Sequence, residues 1–281
     1  MKRYLSLAKP GIIFGNLSSA AGGFFLGSRG HVDIAQLFAT LTGLALVIGG
    51  GCTLNNCIDR DIDSIMKRTQ ARPLVTKAVS VRRALIFGLI LALAGLVLLQ
   101  LVTNVLTAMI ATFGFIIYVF AYSLWLKRSP HGTWVGGLSG AVPPLAAYCA
   151  ASNQFDWAAL VIYVMYVLWQ FPHAYAIGIL HLEDYILVSM PILPVVRGVK
   201  RVRQQAPYEI AAFLICASLL FFLGQVGWIY LLTLIAIGFL WIKSALRSSA
   251  NVDDRLWARQ SFAYSILMVV GLSFTMAFDW V

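Results

Sequence analysis

Residues 34–63 read IAQLFATLTGLALVIGGGCTLNNCIDRDID, and the step from apolar to acidic inside that stretch decides the fold. From 34 to 58 there is no Asp, Glu, Lys or Arg. A helix of that length crosses the ~30 Å hydrocarbon core of a bilayer. The run then ends in Asn55, Asp59 and Asp63, which recur every four residues. Four residues of helix rise about 6 Å and drift about 40°, so the three side chains line one face. Asp61 points to the other side and is read as a surface residue or the partner of a nearby Arg. Carboxylates stacked on one face repel unless cations neutralise them. Oxygen-only ligands on a rigid ladder suit Mg²⁺, which takes one or two carboxylates and completes its shell with water and phosphate oxygens.

The rest of the chain agrees with a membrane setting. Of its 281 residues 60% are apolar and only 11% charged, against about 25% charged in soluble domains; mean hydropathy is +0.83. Apolar segments at 11–28, 34–58, 83–102, 105–125, 133–151, 158–178, 207–223, 226–246 and 260–278 predict an all-α, polytopic membrane helical bundle of about nine transmembrane helices, forming one transmembrane domain over 1–281. The first, fifth and seventh are interrupted by Gly, Pro or Glu209. The alternating ten-residue strands of a membrane barrel are absent. Lys2, Arg3 and Lys9 ahead of an apolar run resemble a signal peptide, but the spans that follow make this the first helix.

Basic residues set the orientation. With the N-terminus in the cytoplasm, 20 of the 21 Lys and Arg residues fall on that side and only Arg29 on the other. That is the positive-inside pattern. It puts the C-terminus in the periplasm and the acidic ladder at the cytoplasmic face. It also explains most of the +10 net charge without any nucleic acid partner.

After the ladder come Arg68 and Arg72, four apart, then Pro73 and Lys77. Guanidinium groups bind phosphate oxygens bidentately, whereas Lys77 acts as a point charge. Acids followed closely by paired arginines make a site for metal plus polyphosphate. Cys52 and Cys57 flank the ladder; with Cys149 and Cys216 they read as small apolar helix residues, and no disulfide scaffold is expected.

N-x-x-x-D-x-x-x-D followed by R-x-x-x-R-P resembles the first signature of the UbiA superfamily of intramembrane prenyltransferases. The resemblance runs along nearly the whole chain toward the branch that farnesylates haem. It is carried by Lys9-Pro10-Gly11, Leu126-Lys127-Arg128, the glycine-rich 136–144, Trp169-Gln170-Phe171-Pro172-His173, Asp184-Tyr185, 191–196 and Asp253 to Arg259. It implies a bacterial inner-membrane enzyme whose donor is farnesyl diphosphate, whose acceptor is protohaem IX (haem B) and whose cofactor is Mg²⁺ held by Asn55, Asp59 and Asp63. It implies substrate-binding roles for Arg68, Arg72, Lys77, Lys127, Arg128, Trp169, His173 and Tyr185. A downstream haem enzyme or terminal oxidase is the partner such a product implies.

Relatives that prenylate quinone precursors carry a second D-x-x-x-D cluster. Here the matching stretch reads His181-Leu182-Glu183-Asp184-Tyr185, with no acid four residues on, so only Asp184 is carried over, to hold either a second Mg²⁺ or a basic residue. His173 can ligate haem iron, orient a propionate or cap a helix; His131 and His181 lie in loops, and His31 on the opposite surface. Tyr118, Tyr122, Trp125, Trp169 and Tyr175 border the same membrane face, either as interfacial anchors or as ring faces for an allylic cation. A quinone-type prenyltransferase is the nearer rival. A transporter, the other, would put ionisable residues at mid-membrane and often show inverted repeats.

Overall fold

The computed structural model describes residues 2–129, 131–247 and 252–281. Helices cover every predicted span, and among the described residues extended pairing is limited to one isolated bridge, Val226 with Trp280. A short α1 (Lys2–Leu7) leads through left-handed Lys9 (φ 54°) into α2 (Pro10–Ser28), with proline at its first position. Then come α3 (Ile34–Ile58), α4 (Arg60–Ile65), α5 (Val81–Val102) and α6 (Val105–Ile116). The last runs on as a π-helix over Ile117–Trp125. The glycine-rich segment forms α7 (Gly132–Gly140) and α8 (Val142–Ser152). They are followed by α9 (Trp157–Leu180), α10 (Leu182–Leu187), α11 (Leu193–Val196), α12 (Val199–Phe222), α13 (Trp228–Ala245) and α14 (Asp254–Thr275). Among the described residues six helices are long and apolar enough to cross a membrane: α3, α5, α6 with its π extension, α9, α12 and α13. Helices α2, α7–α8 and α14 complete the bundle.

Helix starts follow local chemistry. Asp33, Asn104, Asp156 and Asp253 accept from backbone N–H groups in the first turns of α3, α6, α9 and α14, satisfying donors that a helix start leaves orphaned. Boundaries depart from expectation at three places. The predicted fifth span is two helices, because Pro143 and Pro144 have no N–H to give and fit only a first helical turn. Helix α12 begins eight residues earlier than the apolar run, since Pro207 costs it a single intrahelical bond. The π-helix was not expected at all.

The contacts sort the loops to two ends. At one, Lys9 meets Asn55, Lys127 meets Asp59, Asp184 meets Lys67 and Arg255 meets Glu183. At the other, Arg29 binds Gln225, Gln36 binds the Ala150 carbonyl and Asn104 the Cys149 carbonyl. Helices α3 and α5 touch through glycines: a Cβ on Gly95 would lie 2.5 Å from Gly43 O, and one on Gly50 2.6 Å from Gly88 O. Small residues let apolar helices approach closely where no hydrophobic force draws them together. One core cluster joins α2, α3, α5, α6 and α8 around Phe24, Leu44 and Leu99; a larger one joins α9 and α12–α14 around Phe213, Trp241 and Trp257. Leu93, Leu101, Phe113, Phe120 and Phe239 face outward, as lipid-covered surface requires.

Candidate active site

Between the two core clusters lies a cavity of about 680 Å³, within the size range of small-molecule sites. Asn55, Asp59 and Asp63 line one end of it. The helix yields at Asp59, but the bonds Asp59 N–H to Asn55 O (2.9 Å) and Asp63 N–H to Asp59 O (2.8 Å) carry the helical path through the break. The four-residue spacing therefore delivers all three side chains to one wall, and each is buried. Asp61 is exposed beside Arg60 at 3.0 Å, away from the cavity.

Each rung has a basic partner from a different segment. Lys9 Nζ donates to Asn55 Oδ1 at 2.7 Å, Lys127 Nζ pairs with Asp59 Oδ2, and Arg72 pairs with Asp63 Oδ2 at 2.5 Å. The strained turn at Lys9 aims its side chain inward, and Asn56 Nδ2, donating to Leu7 O at 2.9 Å, ties that turn to α3. Burial first, then the positive charges of Arg72 and Lys127, pull the Lys9 ammonium down to about 8, so at neutral pH it is still mostly a cation. Arg72 arrives on a chain of turns over 66–80, pinned by Thr69 Oγ1 donating to Asp63 O (2.9 Å) and by buried Leu74 and Val79 against Leu7.

The π-helix places the remaining partner of the amide. Ser123 donates to Tyr118 O five residues back (2.8 Å), so its oxygen accepts from Asn55 Nδ2 at 3.0 Å. That bond turns Asn55 Oδ1 toward the cavity. Among the described residues, Oδ1 of Asp59 and of Asp63 carries no protein hydrogen bond. No three His, Cys, Asp or Glu side chains gather into a closed cage there either. Two carboxylates and an amide, each with an oxygen toward a cation-rich space, fit Mg²⁺, which keeps waters and phosphate oxygens in its shell.

The opposite end is aromatic. His173 stacks with Trp169 (4.4 Å, 21°) and with Phe262 (5.1 Å, 28°), and all three line the cavity. Trp169 Nε1 donates to Ser265 O at 2.9 Å, and His173 Nδ1 lies 2.8 Å from Ser265 Oγ. Ile12, Ile266 and Val270 line the cavity and are exposed.

The structure gathers Asn55, Asp59, Asp63, Arg68, Arg72, Lys127, Trp169, His173 and Tyr185 around one space. Tyr118, Tyr122 and Tyr175 join them, whereas Trp125 is 74% exposed, an interfacial position. Burial pushes the Tyr185 phenol up, so it meets the space as a neutral hydroxyl. Lys77 and Arg128 are exposed and stand outside the cavity. Asp184 is also outside: it lines a second cleft with Lys67, Arg68, His181 and Asp254, and its Oδ1 accepts the Lys67 backbone N–H at 3.1 Å. The Asp253–Arg255 motif is bracing. Asp253 caps α14, Asp254 takes the buried Arg203 at 2.6 Å and Arg255 takes Glu183 at 2.5 Å. Sequence reasoning missed the roles of Lys9, Ser123 and Ser265. Only Lys9 carried a local signal, a lysine set directly before the proline that opens a helix.

The model of the UbiA prenyltransferase family matches residues 16–267. A protein named protoheme IX farnesyltransferase 2 from Chromobacterium violaceum is 50% identical over 280 residues, covering 99% of this chain and 93% of its own. The protein of the same name from Pseudomonas aeruginosa PAO1 is 48% identical over 281 residues, covering 100% and 95%. Among solved structures, one of digeranylgeranylglyceryl phosphate synthase superposes with a TM-score of 0.79 at 20% identity, over 98% of both chains. A UbiA homologue from Archaeoglobus fulgidus bound to GPP and Mg²⁺ gives 0.70 at 18% identity, over 98% of this chain and 99% of that one. At such identities the structures speak for the fold, and the sequences for the kinship: the chain belongs to the UbiA prenyltransferase family.

Proposed function

We propose that the chain is a protohaem IX farnesyltransferase, moving the farnesyl group of farnesyl diphosphate to a vinyl group of protohaem IX, with addition of water, to give haem O and diphosphate. The observation that carries this reading is one continuous cavity with an acidic, cation-ringed end and an aromatic end built on Trp169, His173 and Phe262. Relatives named for that activity, at 50% and 48% identity, support it. The 20-to-1 bias of Lys and Arg supports a cytoplasmic acidic end, with the N-terminus on that side.

Mg²⁺ would be held by Asn55 Oδ1 and the free Oδ1 atoms of Asp59 and Asp63, and would supply positive charge against the departing diphosphate. Arg72 and Arg68 offer planar forks to phosphate oxygens, and Lys127 and Lys9 add point charges. Tyr185 donates from the facing wall. Together they stabilise the negative charge that grows as the C–O bond of the donor breaks. The farnesyl chain lies along the apolar walls, where the faces of Tyr118 and Tyr122 favour the allylic cation. The vinyl carbon then bonds to that cation, water captures the resulting centre beside the macrocycle, and one proton leaves to solvent with the diphosphate. Because ionisation drives the sequence, no strong protein base is needed, and among the described residues the cavity shows no Ser/His/Asp or Cys/His constellation.

Purified protein given protohaem, farnesyl diphosphate and Mg²⁺ is expected to yield a more hydrophobic haem, resolved by chromatography and mass. No product with haem, but turnover with 4-hydroxybenzoate, would sink the acceptor assignment and leave the prenyltransferase.

A further inference from the structure

We infer that Ser265 is a positioning residue for the acceptor: it holds His173 in the Nδ1–H tautomer, leaving the Nε2 lone pair to ligate the porphyrin iron. The inference rests on the haem reading above and settles how that acceptor is gripped.

A serine hydroxyl has one hydrogen to give. That of Ser265, fully buried on α14, goes to the Phe262 carbonyl one turn back at 2.7 Å. Toward His173 Nδ1, 2.8 Å away, the oxygen is then left to accept. A neutral imidazole carries one N–H, so Nδ1 holds it and Nε2 is bare.

The ring has little freedom to change this. Trp169 and Phe262 both stack on it, and Trp169 is itself fixed by its Nε1 bond to the Ser265 carbonyl. One α14 residue thus anchors both rings, the indole through its backbone and the imidazole through its side chain. Among the described residues Nε2 has no hydrogen-bond partner, and His173 lines the cavity. A bare Nε2 offers nothing to a propionate, which needs a donor. It suits a metal, and metal-bound histidines almost always donate their other N–H to a fixed acceptor. Of the two ways of meeting haem open to a histidine here, the hydrogen bonds select iron.

The test titrates detergent-solubilised full-length protein with ferric protohaem and, separately, with metal-free protoporphyrin IX, followed by absorbance. Ser265→Ala is expected to weaken protohaem binding by about 10-fold or more, the usual cost of losing a ligand's outer partner. It should also erase the imidazole-ligated spectrum and leave metal-free porphyrin binding unchanged. Ser265→Thr keeps the hydroxyl and should behave as wild type. Ser265→Cys, similar in volume but a weak acceptor, should reproduce the loss if the alanine variant does not accumulate. Equal weakening of both porphyrins in the alanine or cysteine variant would show a merely structural serine and overturn the proposal. So would a protohaem spectrum that His173→Ala leaves unchanged, although haem would still be the acceptor. Failure of the wild type to bind either porphyrin, together with no haem product, overturns the acceptor reading and this inference with it.

Discussion

Two segments of the bundle share one backbone design and use it differently. Helix α3 ends at Ile58, breaks at Asp59 and resumes as the six-residue α4; helix α9 ends at Leu180, breaks at His181 and resumes as the six-residue α10. Four residues either side of the first break stand Asn55 and Asp63, and four either side of the second stand Ile177 and Tyr185. All four line the cavity. The first frame is an oxygen ladder matched by Lys9, Lys127 and Arg72. The second presents a sec-butyl group and a phenol, and its break residue His181 faces the neighbouring cleft. Its nearest acid, Asp184, is one position out of register and is spent on the Lys67 backbone N–H. The chain therefore builds half of what its fold could accommodate. One wall gathers carboxylates and their basic partners, and the opposite wall holds the loop that brings the arginines.

That asymmetry breaks most visibly at the ladder. Asp59→Asn and Asp63→Asn each keep the volume and remove a carboxylate, so the basic groups face a site short of one negative charge. Turnover is expected to fall by about 10²–10³-fold, the scale of losing a principal electrostatic group at a reacting centre, with unchanged insertion judged by protease protection. Near-normal rates in either variant would mean that the ladder holds no metal and the two frames are closer in role than in chemistry.

A smaller effect sharpens the facing half. Arg72→Lys keeps the charge but loses the planar fork that pairs with Asp63 and reaches phosphate oxygens together. KM for the donor should rise about 10-fold, or about 1.4 kcal/mol, with kcat falling less. Ser123→Ala acts one step further out. It frees the Asn55 amide to rotate, worth about 1 kcal/mol for a lost neutral hydrogen bond, and should appear as a severalfold higher Mg²⁺ requirement at saturating donor. An unchanged Mg²⁺ dependence would show that the amide needs no help from the π-helix.

The difference between the frames also explains what could be read from the sequence. The ladder was legible because its geometry is local: three polar residues at a helical repeat against an uncharged run fix a face before any tertiary structure is known. The positive-inside count was legible for the same reason, since it asks only which loop a residue belongs to. Lys9 and Lys127 reach the ladder over 46 and 68 residues, and no periodicity encodes such a meeting. The π-helix was hidden because its one-residue widening leaves the apolar pattern intact while moving Ser123 onto Asn55. At the far end, Trp169 and His173 share a helical face and could be paired. Ser265, 92 residues away on α14, could not. Asp184 shows the opposite failure: an acid in the expected segment, but not at the position that the frame turns inward.

Asp184→Asn is therefore the mildest of these changes and the most telling. The carboxylate accepts one backbone N–H at 3.1 Å and sits beside His181, whose imidazole is lowered by burial first and by Arg68 next, with Asp184 opposing. An asparagine oxygen can accept the same bond, so the cost is the charge-assisted part, about 1 kcal/mol. It is borne by the Lys67–Arg68 turn rather than by the reacting atoms. Turnover should stay within about threefold of wild type, with a modest rise in donor KM as Arg68 loosens, and the His181 titration should move further down. A loss on the scale of Asp63→Asn would instead make the α9–α10 frame a second cation-binding wall. The register argument, in which position four decides and its neighbour does not, would then fail at the residue chosen to test it.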